Sequence, residues 1–161
     1  MPTDFSPASE AALACAKDVA NKFNARLSLL HVVTDPKATG FWTPEVYVPV
    51  SEEMRERFLR EARQRLENAL TADERARFRA RTEARIGVAA EGIQHFAREH
   101  DVDLIVMGTH GRRGLAHLLL GSVAEHVVRN SPCPVLTTRA ATQFQAGSED
   151  AAVAEALMPV D

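Results

Sequence analysis

DLIVMGTHGRRGLAHLLLGSVAEHVV, residues 103–128, decides how this chain folds. Leu104–Met107 is an unbroken apolar run, as expected of a strand buried on both faces of a parallel sheet. It ends at Gly108, and further glycines follow at Gly111 and Gly121, giving the spacing G-x2-G-x9-G-S with Ser122 last. Glycines at a strand end let the backbone approach a ligand closely and tolerate positive φ. Unpaired N–H groups in such a loop can cradle phosphate. The spacing then predicts a helix over 122–130, whose first N–H groups and dipole favour an anion. The Lys of a P-loop is missing, and neither GxxxxGK[ST] nor GxGxxG occurs. The same residues have a plainer reading: Ser122-Val-Ala-Glu125 fits a capping box, and Gly108 and Gly111 fit ordinary turns.

Working outward, PVLTT at 134–138 is a last strand after the 122–130 helix. Upstream, Ala89, Ile93, Phe96 and Ala97 form the stripe of a helix running to about His100, and FRARTEARI at 78–86 reads as a polar strand near an edge. A helix from Ser51 to about Leu70 has the stripe Met54, Phe58, Ala62, Leu66 and Ala69. Its other face pairs Glu53–Arg57, Glu56–Arg60 and Glu61–Arg65, acid first, so these arginines form a solvated face rather than a nucleic-acid patch. RLSLLHVV at 26–33 is a buried strand, in which His31 reads as a hydrogen-bonded core histidine. The first helix spans 6–23, with Ser6 as N-cap, Pro7 at its first position, and Ala12, Ala16, Val19, Ala20 and Phe23 as its stripe. Strands alternating with helices predict an α/β fold with an open parallel sheet and helices on both faces, its ligand at the carboxyl ends of the strands. The proline-rich loop 35–50 reads either as a lid or contact surface or as a surface excursion. The tail 140–161 reads either as one weak amphipathic helix (Val153, Ala156, Leu157) or as disorder.

The chain's 161 residues suit one domain, and 45% hydrophobic with 25% charged residues is ordinary globular composition. A net charge of −3 gives no general pull toward nucleic acid or anionic membrane. No apolar run approaches the roughly 20 residues of a membrane span, and MPTDFSPASE is not a signal peptide. Cys15 and Cys133 lack a CxxC pattern and suit a reducing cytoplasm, with packing their expected role. The six histidines, His110, His117 and His126 among them, show no metal-ligand spacing, so no metal held by protein side chains is expected.

The stretch DLIVMGTHGRRGLAHLLLGSVAEHVVRNSPCPVL resembles the C-terminal half of universal stress proteins nearly residue for residue. PTDFSPASEAAL resembles that family's opening helix and LLHVV its second strand, so the resemblance covers residues 2–139 and leaves the tail outside. G-x2-G-x9-G-[ST] is the pattern of the family's ATP-binding branch. The resemblance implies a Rossmann-like sheet of the adenine nucleotide alpha hydrolase type, with ATP bound and Mg2+ or Mn2+ on its phosphates. By position it places Pro2, Thr3 and Asp4 beside the nucleoside and the backbone of Val32 against adenine. Met107, Gly108, His110, Gly111 and Arg112 match the loop over ribose and phosphates; Gly121, Ser122 and Val123 match the helix start beneath them. It also implies a homodimer paired edge to edge through strand 134–138 and an unknown regulatory protein partner.

The chain departs from the family at its start. The apolar first strand, which ends in Pro-Thr-Asp, is reduced to Met1-Pro2-Thr3-Asp4. In a sheet of order 3-2-1-4-5 that strand is central, so its loss predicts a gap with unpaired backbone on both sides. Either Met1 is an internal methionine of a longer natural chain, or the tail or a partner chain fills the gap. Near the loop only His110 titrates, and no general base, activated nucleophile or water-positioning group stands out. The leading expectation is therefore an ATP-binding stress-response regulator. A slow ATPase or adenylyl-transfer enzyme, and a nucleotide-free interaction protein, stand as alternatives.

Overall fold

Ser6 starts the first helix by accepting a hydrogen bond from the Ser9 N–H at 3.3 Å, and Pro7 occupies the first turn, where no donor is needed. The resulting α1 (Pro7–Phe23) ends at Asn24, which takes left-handed backbone at φ 49°. In this computed structural model, which describes residues 1–34, 51–109 and 120–139, there follow β1 (Ser28–Thr34), α2 (Glu52–Asn68), α3 (Ala72–Arg77), β2 (Arg81–Gly87), α4 (Ala89–Glu99), β3 (Ile105–Gly108), α5 (Ser122–Asn130) and β4 (Val135–Thr138). The loop at 35–50, the tail at 140–161 and the expected ligands His110, Gly111 and Arg112 lie outside the described residues.

All strand pairs are parallel. β1 lies on β2 with Ser28 opposite Arg81 and Thr34 opposite Gly87. β3 lies on β4 with Ile105 opposite Val135 and Gly108 opposite Thr138. Met1–Thr3 runs along the free edge of β1: Leu30 N donates to Met1 O at 3.0 Å, and Thr3 N donates to Leu30 O at 2.8 Å. The expected gap is therefore partly closed, because the backbone of Ser28–Leu30 is paired on that side. Among the described residues, no backbone bond joins Met1–Thr3 to β3.

Alternation along each strand sends neighbouring side chains to opposite faces. Leu27, Leu29 and Val106 pack with α1 and α2 and with Leu70 and Phe78. Leu30, Val32, Ile105 and Met107 pack with α4 and α5. The result is the expected α/β sandwich, Rossmann-like, with helices on both faces of parallel strands.

The structure corrects several details. α3 was not foreseen; Thr71 and Glu74 cap it reciprocally, and Phe78 at its end is buried in the core instead of opening a strand. β1 begins at 28, β2 at 81 and β4 at 135 rather than 26, 78 and 134. Phe23 is 71% exposed, and Met54 and Phe58 are 44% and 37% exposed, although all three fall on their helices' apolar stripes. A helical period records which residues share a face, not how far along the helix anything covers it. α2 buries only Ala62 and Leu66 fully. Arg57 pairs with Glu61 at 2.9 Å rather than with Glu53, and Arg65 lies over the Phe5 ring at 4.0 Å rather than beside Glu61. The Glu56–Arg60 pair forms, at 3.5 Å.

Candidate functional site

The carboxyl ends of β1 and β3 and the starts of α1 and α5 lie at one end of the fold, where an open parallel sheet has its crevice. Backbone parity sets what faces it. Leu30 turns its N–H and C=O to the Met1–Thr3 side, so Val32, two residues on, points its own the same way. Beyond Thr3 the chain turns away, and Thr3 O is taken at 2.7 Å by the His31 ring instead. On β3, Ile105 and Thr109 donate toward β4, to Pro134 O and Thr138 O. Gly108 must then face inward, toward the β1 side. The two backbones at the ends of these strands can thus serve a ligand edge lying between them. His31 is half-buried and hydrogen-bonded, as its position in the strand suggested.

Two tight turns shape the mouth of the crevice. Thr3 Oγ1 accepts from Phe5 N at 3.0 Å and donates to Ser9 Oγ at 3.1 Å. Asp4 Oδ1 accepts from Ser6 N at 3.1 Å. Between them Phe5 adopts φ 60°, left-handed backbone that is rare for a bulky side chain. Its ring lies 4.7 Å from the His31 ring and is covered by Arg65. Such backbone costs about 1–3 kcal/mol and persists only where neighbours enforce it. The sequence reading overlooked Phe5; the only signal was Thr-Asp flanking it, two residue types that cap turns with their side chains.

Gly108 is required for space. A Cβ there would lie 2.8 Å from Ala8 O and 2.9 Å from Ala8 C, so the first turn of α1 rests directly on the end of β3. At the other side of the loop, Gly121 N donates to Thr109 O at 2.7 Å, and Gly121, not Ser122, is the N-cap of α5. This overturns the capping-box reading of Ser122-Val-Ala-Glu125. Ser122 is the first helical residue, and no side chain caps the helix. Ser122 and Val123 are exposed at that end, and among the described residues the N–H groups of the first turn have no acceptor. The positive ends of two helix dipoles, of α1 and α5, meet at this crevice.

Of the expected ligands, Thr3, Asp4, Val32, Gly108, Gly121 and Ser122 are brought to this end of the sheet. Pro2 is bridged to Leu30 as part of the sheet edge. Met107 is buried against α4 and α5 and forms part of the floor. Among the described residues, no group of three His, Cys, Asp or Glu side chains could hold a metal ion. Cys15 and Cys133 are both free and half-buried.

The sequence pattern of the universal stress protein family matches residues 1–139. Universal stress protein MJ0531 of Methanocaldococcus jannaschii is 36% identical over 139 residues, covering 86% of this chain and 79% of that protein. The solved structure of MJ0577, from the same organism, superposes with a TM-score of 0.68 at 31% identity, over 86% of this chain and 92% of that one. A universal stress protein solved in complex with cAMP superposes at 0.55 with 26% identity, over 88% and 94%. With the family pattern matched over residues 1–139 and MJ0531 36% identical along most of its length, the chain belongs to the universal stress protein family.

Proposed function

We propose that this protein is an ATP-binding regulatory module of the stress response, working in the cytoplasm as a homodimer. The observation that carries the proposal is the start of α5: Gly121 caps it without a side chain, so its first N–H groups await an anion at the crevice. The inward-facing backbones of Val32 and Gly108 supply the hydrogen-bonding edge that an adenine base needs. His110, Gly111 and Arg112, in the loop between Thr109 and Leu120, complete the phosphate contacts, with Arg112 offering a charge-assisted bond. Mg2+ or Mn2+ would be carried by the nucleotide rather than by protein side chains and would supply charge neutralisation at the phosphates. One relative is solved in complex with cAMP, an adenine nucleotide, which supports the same class of ligand here.

The dimer is proposed through β4. Its outer edge has no partner among the described residues, and Leu136 on it is exposed. Pairing two such edges satisfies the open N–H and C=O groups that a lone edge presents. A regulatory protein partner would then read nucleotide occupancy or dimer state.

The test is calorimetric titration of Mg-ATP into the wild-type chain and into Gly121→Asp. Binding by the wild type with at least a tenfold loss in the variant is the expected result, since an acid at the helix start repels phosphate. No binding by a folded wild type would return the glycine spacing to a structural role. Product analysis in the same samples separates binding from turnover.

A further inference from the structure

The charge of this chain is split between its folded part and its tail. All 19 Lys and Arg lie in residues 1–139, together with 18 of the 22 Asp and Glu. Residues 140–161 contain no cation and carry the other four acids, Glu149, Asp150, Glu155 and Asp161, with Val153 and Leu157 among them. The net charge of −3 therefore comes from the tail alone.

The opposite character appears where the strands begin, at the far end from the crevice. α1 stops at Phe23, which is the most exposed large apolar side chain of the described residues. Around it stand Lys22, Arg26, Arg77 and Arg79. Arg77 donates to the Asn21 side-chain oxygen, and Arg79 Nη2 donates to Asn24 O at 2.8 Å, which fastens α3 to the end of α1. Both acceptors are neutral. Among the described residues none of the four cations forms an ion pair, and Lys22 and Arg26 make no hydrogen bond either. The C-terminal dipole of α1 offsets only about half a charge. Of the nearby acids, Glu74 is engaged by Lys17 at 2.7 Å. Asp18 lies one turn before Lys22, and Asp73 at the opposite end of α3 from Arg77. Asp101 and Asp103 sit on the loop after α4, where Val102 packs on the other face of the sheet. Net positive charge therefore surrounds an exposed aromatic ring.

We propose that the acidic tail of this same chain docks on that patch, with Glu149, Asp150 and Glu155 set against the four cations and Val153 or Leu157 against Phe23. The reach is sufficient. α1 packs along β3 and β4, and its 17 residues span about 25 Å from the crevice end to Phe23. From Arg139 at the top of β4, ten residues lead to Glu149, and an extended chain of that length covers about 33–36 Å. A tail folded back along α1 delivers its first acids to Phe23. Tethering also gives it a local concentration on the order of millimolar, which favours it over free polyanions.

The experiment is zero-length carbodiimide cross-linking of the full chain, read by peptide mass spectrometry. Lys17–Glu74 serves as the internal standard. The expected product joins Lys22 to Glu149, Asp150 or Glu155 at low salt. Its yield relative to the standard should fall severalfold near 1 M NaCl, where the screening length shrinks to about 3 Å. Arg26→Glu should lower it similarly, because Arg26 supports nothing else among the described residues. A mixture of isotope-labelled and unlabelled chains distinguishes a tail from a neighbour. The proposal is overturned if the standard forms and Lys22 yields no tail product, if the product ignores salt, if tail acids join Lys37 instead, or if mixed-isotope pairs form as often as like pairs.

Discussion

Replacing Gly108 with alanine probes the closest approach in the fold. The added Cβ would stand 2.8 Å from Ala8 O and 2.9 Å from Ala8 C, against a comfortable carbon contact of about 3.5–4.0 Å. Both atoms are backbone, so no rotamer change relieves the clash. The first turn of α1 would have to lift, and it is tied down by Ser6 to Ser9 and by Thr3 to Ser9. Overpacking costs about 1–3 kcal/mol, and a clash with backbone belongs at the upper end, about 2–3 kcal/mol. In a domain of this size each kcal/mol shifts the melting midpoint by about 2–4 °C, so Gly108→Ala should melt roughly 4–12 °C lower. Urea titration should show a reduced midpoint with an unchanged slope. Gly92→Ala is the matched control. Its Cβ would meet Val32 Cγ2 at 3.0 Å, which is a side-chain atom, and alanine gains about 1 kcal/mol of helix propensity over glycine. The two effects oppose, and stability should stay within about 1 kcal/mol of wild type. A Gly108→Ala protein that melts within about 2 °C of wild type would refute the reasoning: α1 would not be resting on β3, and the glycine would need another explanation.

Other substitutions separate covered from uncovered positions and test one ion pair. Leu66→Ala, at a fully buried position, should cost about 2–5 kcal/mol, whereas Met54→Ala one helix half away should change stability by no more than about 0.5 kcal/mol; equal costs in urea titrations would contradict the burial described. Ser6→Ala removes the cap of α1 and should cost about 1 kcal/mol by the same assay, with no loss meaning that the Ser9 N–H finds another acceptor. The Lys17 ammonium and the Thr71 backbone hold the Glu74 carboxyl below its ordinary pKa. The ionised form therefore contributes stability above the ordinary carboxylate range, lost as pH falls through the lowered value. Lys17→Met should raise the Glu74 titration measured by carbonyl NMR and flatten that part of the acid limb; an unmoved titration would remove Lys17 as the cause.

Much of this architecture could be read from the residues because it rests on local chemistry. Ser6-Pro7 marks a helix start, and LIVM before Gly108 marks a buried strand. Of the expected α4 stripe, Ile93, Phe96 and Ala97 are buried and Ala89 is partly covered. What escaped was set by neighbours distant in sequence. Phe23, Met54 and Phe58 obey the helical period, yet among the described residues no other element covers them fully. α3 is six residues held by a capping box, too short for any periodicity to register. Within the site, the glycine spacing marks the end of β3 and the start of α5, but the parts differ: Gly121 takes the cap that a capping box would give Ser122, and Gly108 answers to Ala8, 100 positions earlier in the chain. That contact lies beyond any window of local pattern.

The strand end and helix start on either side of residues 110–119 are fastened to each other. Thr109 N bonds to Thr138 O, and Gly121 N returns to Thr109 O, so the backbone on the two sides of residues 110–119 is held together. Its ends stay together whatever lies between them. Closure entropy rises only slowly with length, about 0.6 kcal/mol for each doubling. Insertions and deletions between Thr109 and Gly121 should therefore cost the fold little. The length of this stretch can change while the fold keeps hold of both its ends, which gives one scaffold room to diversify.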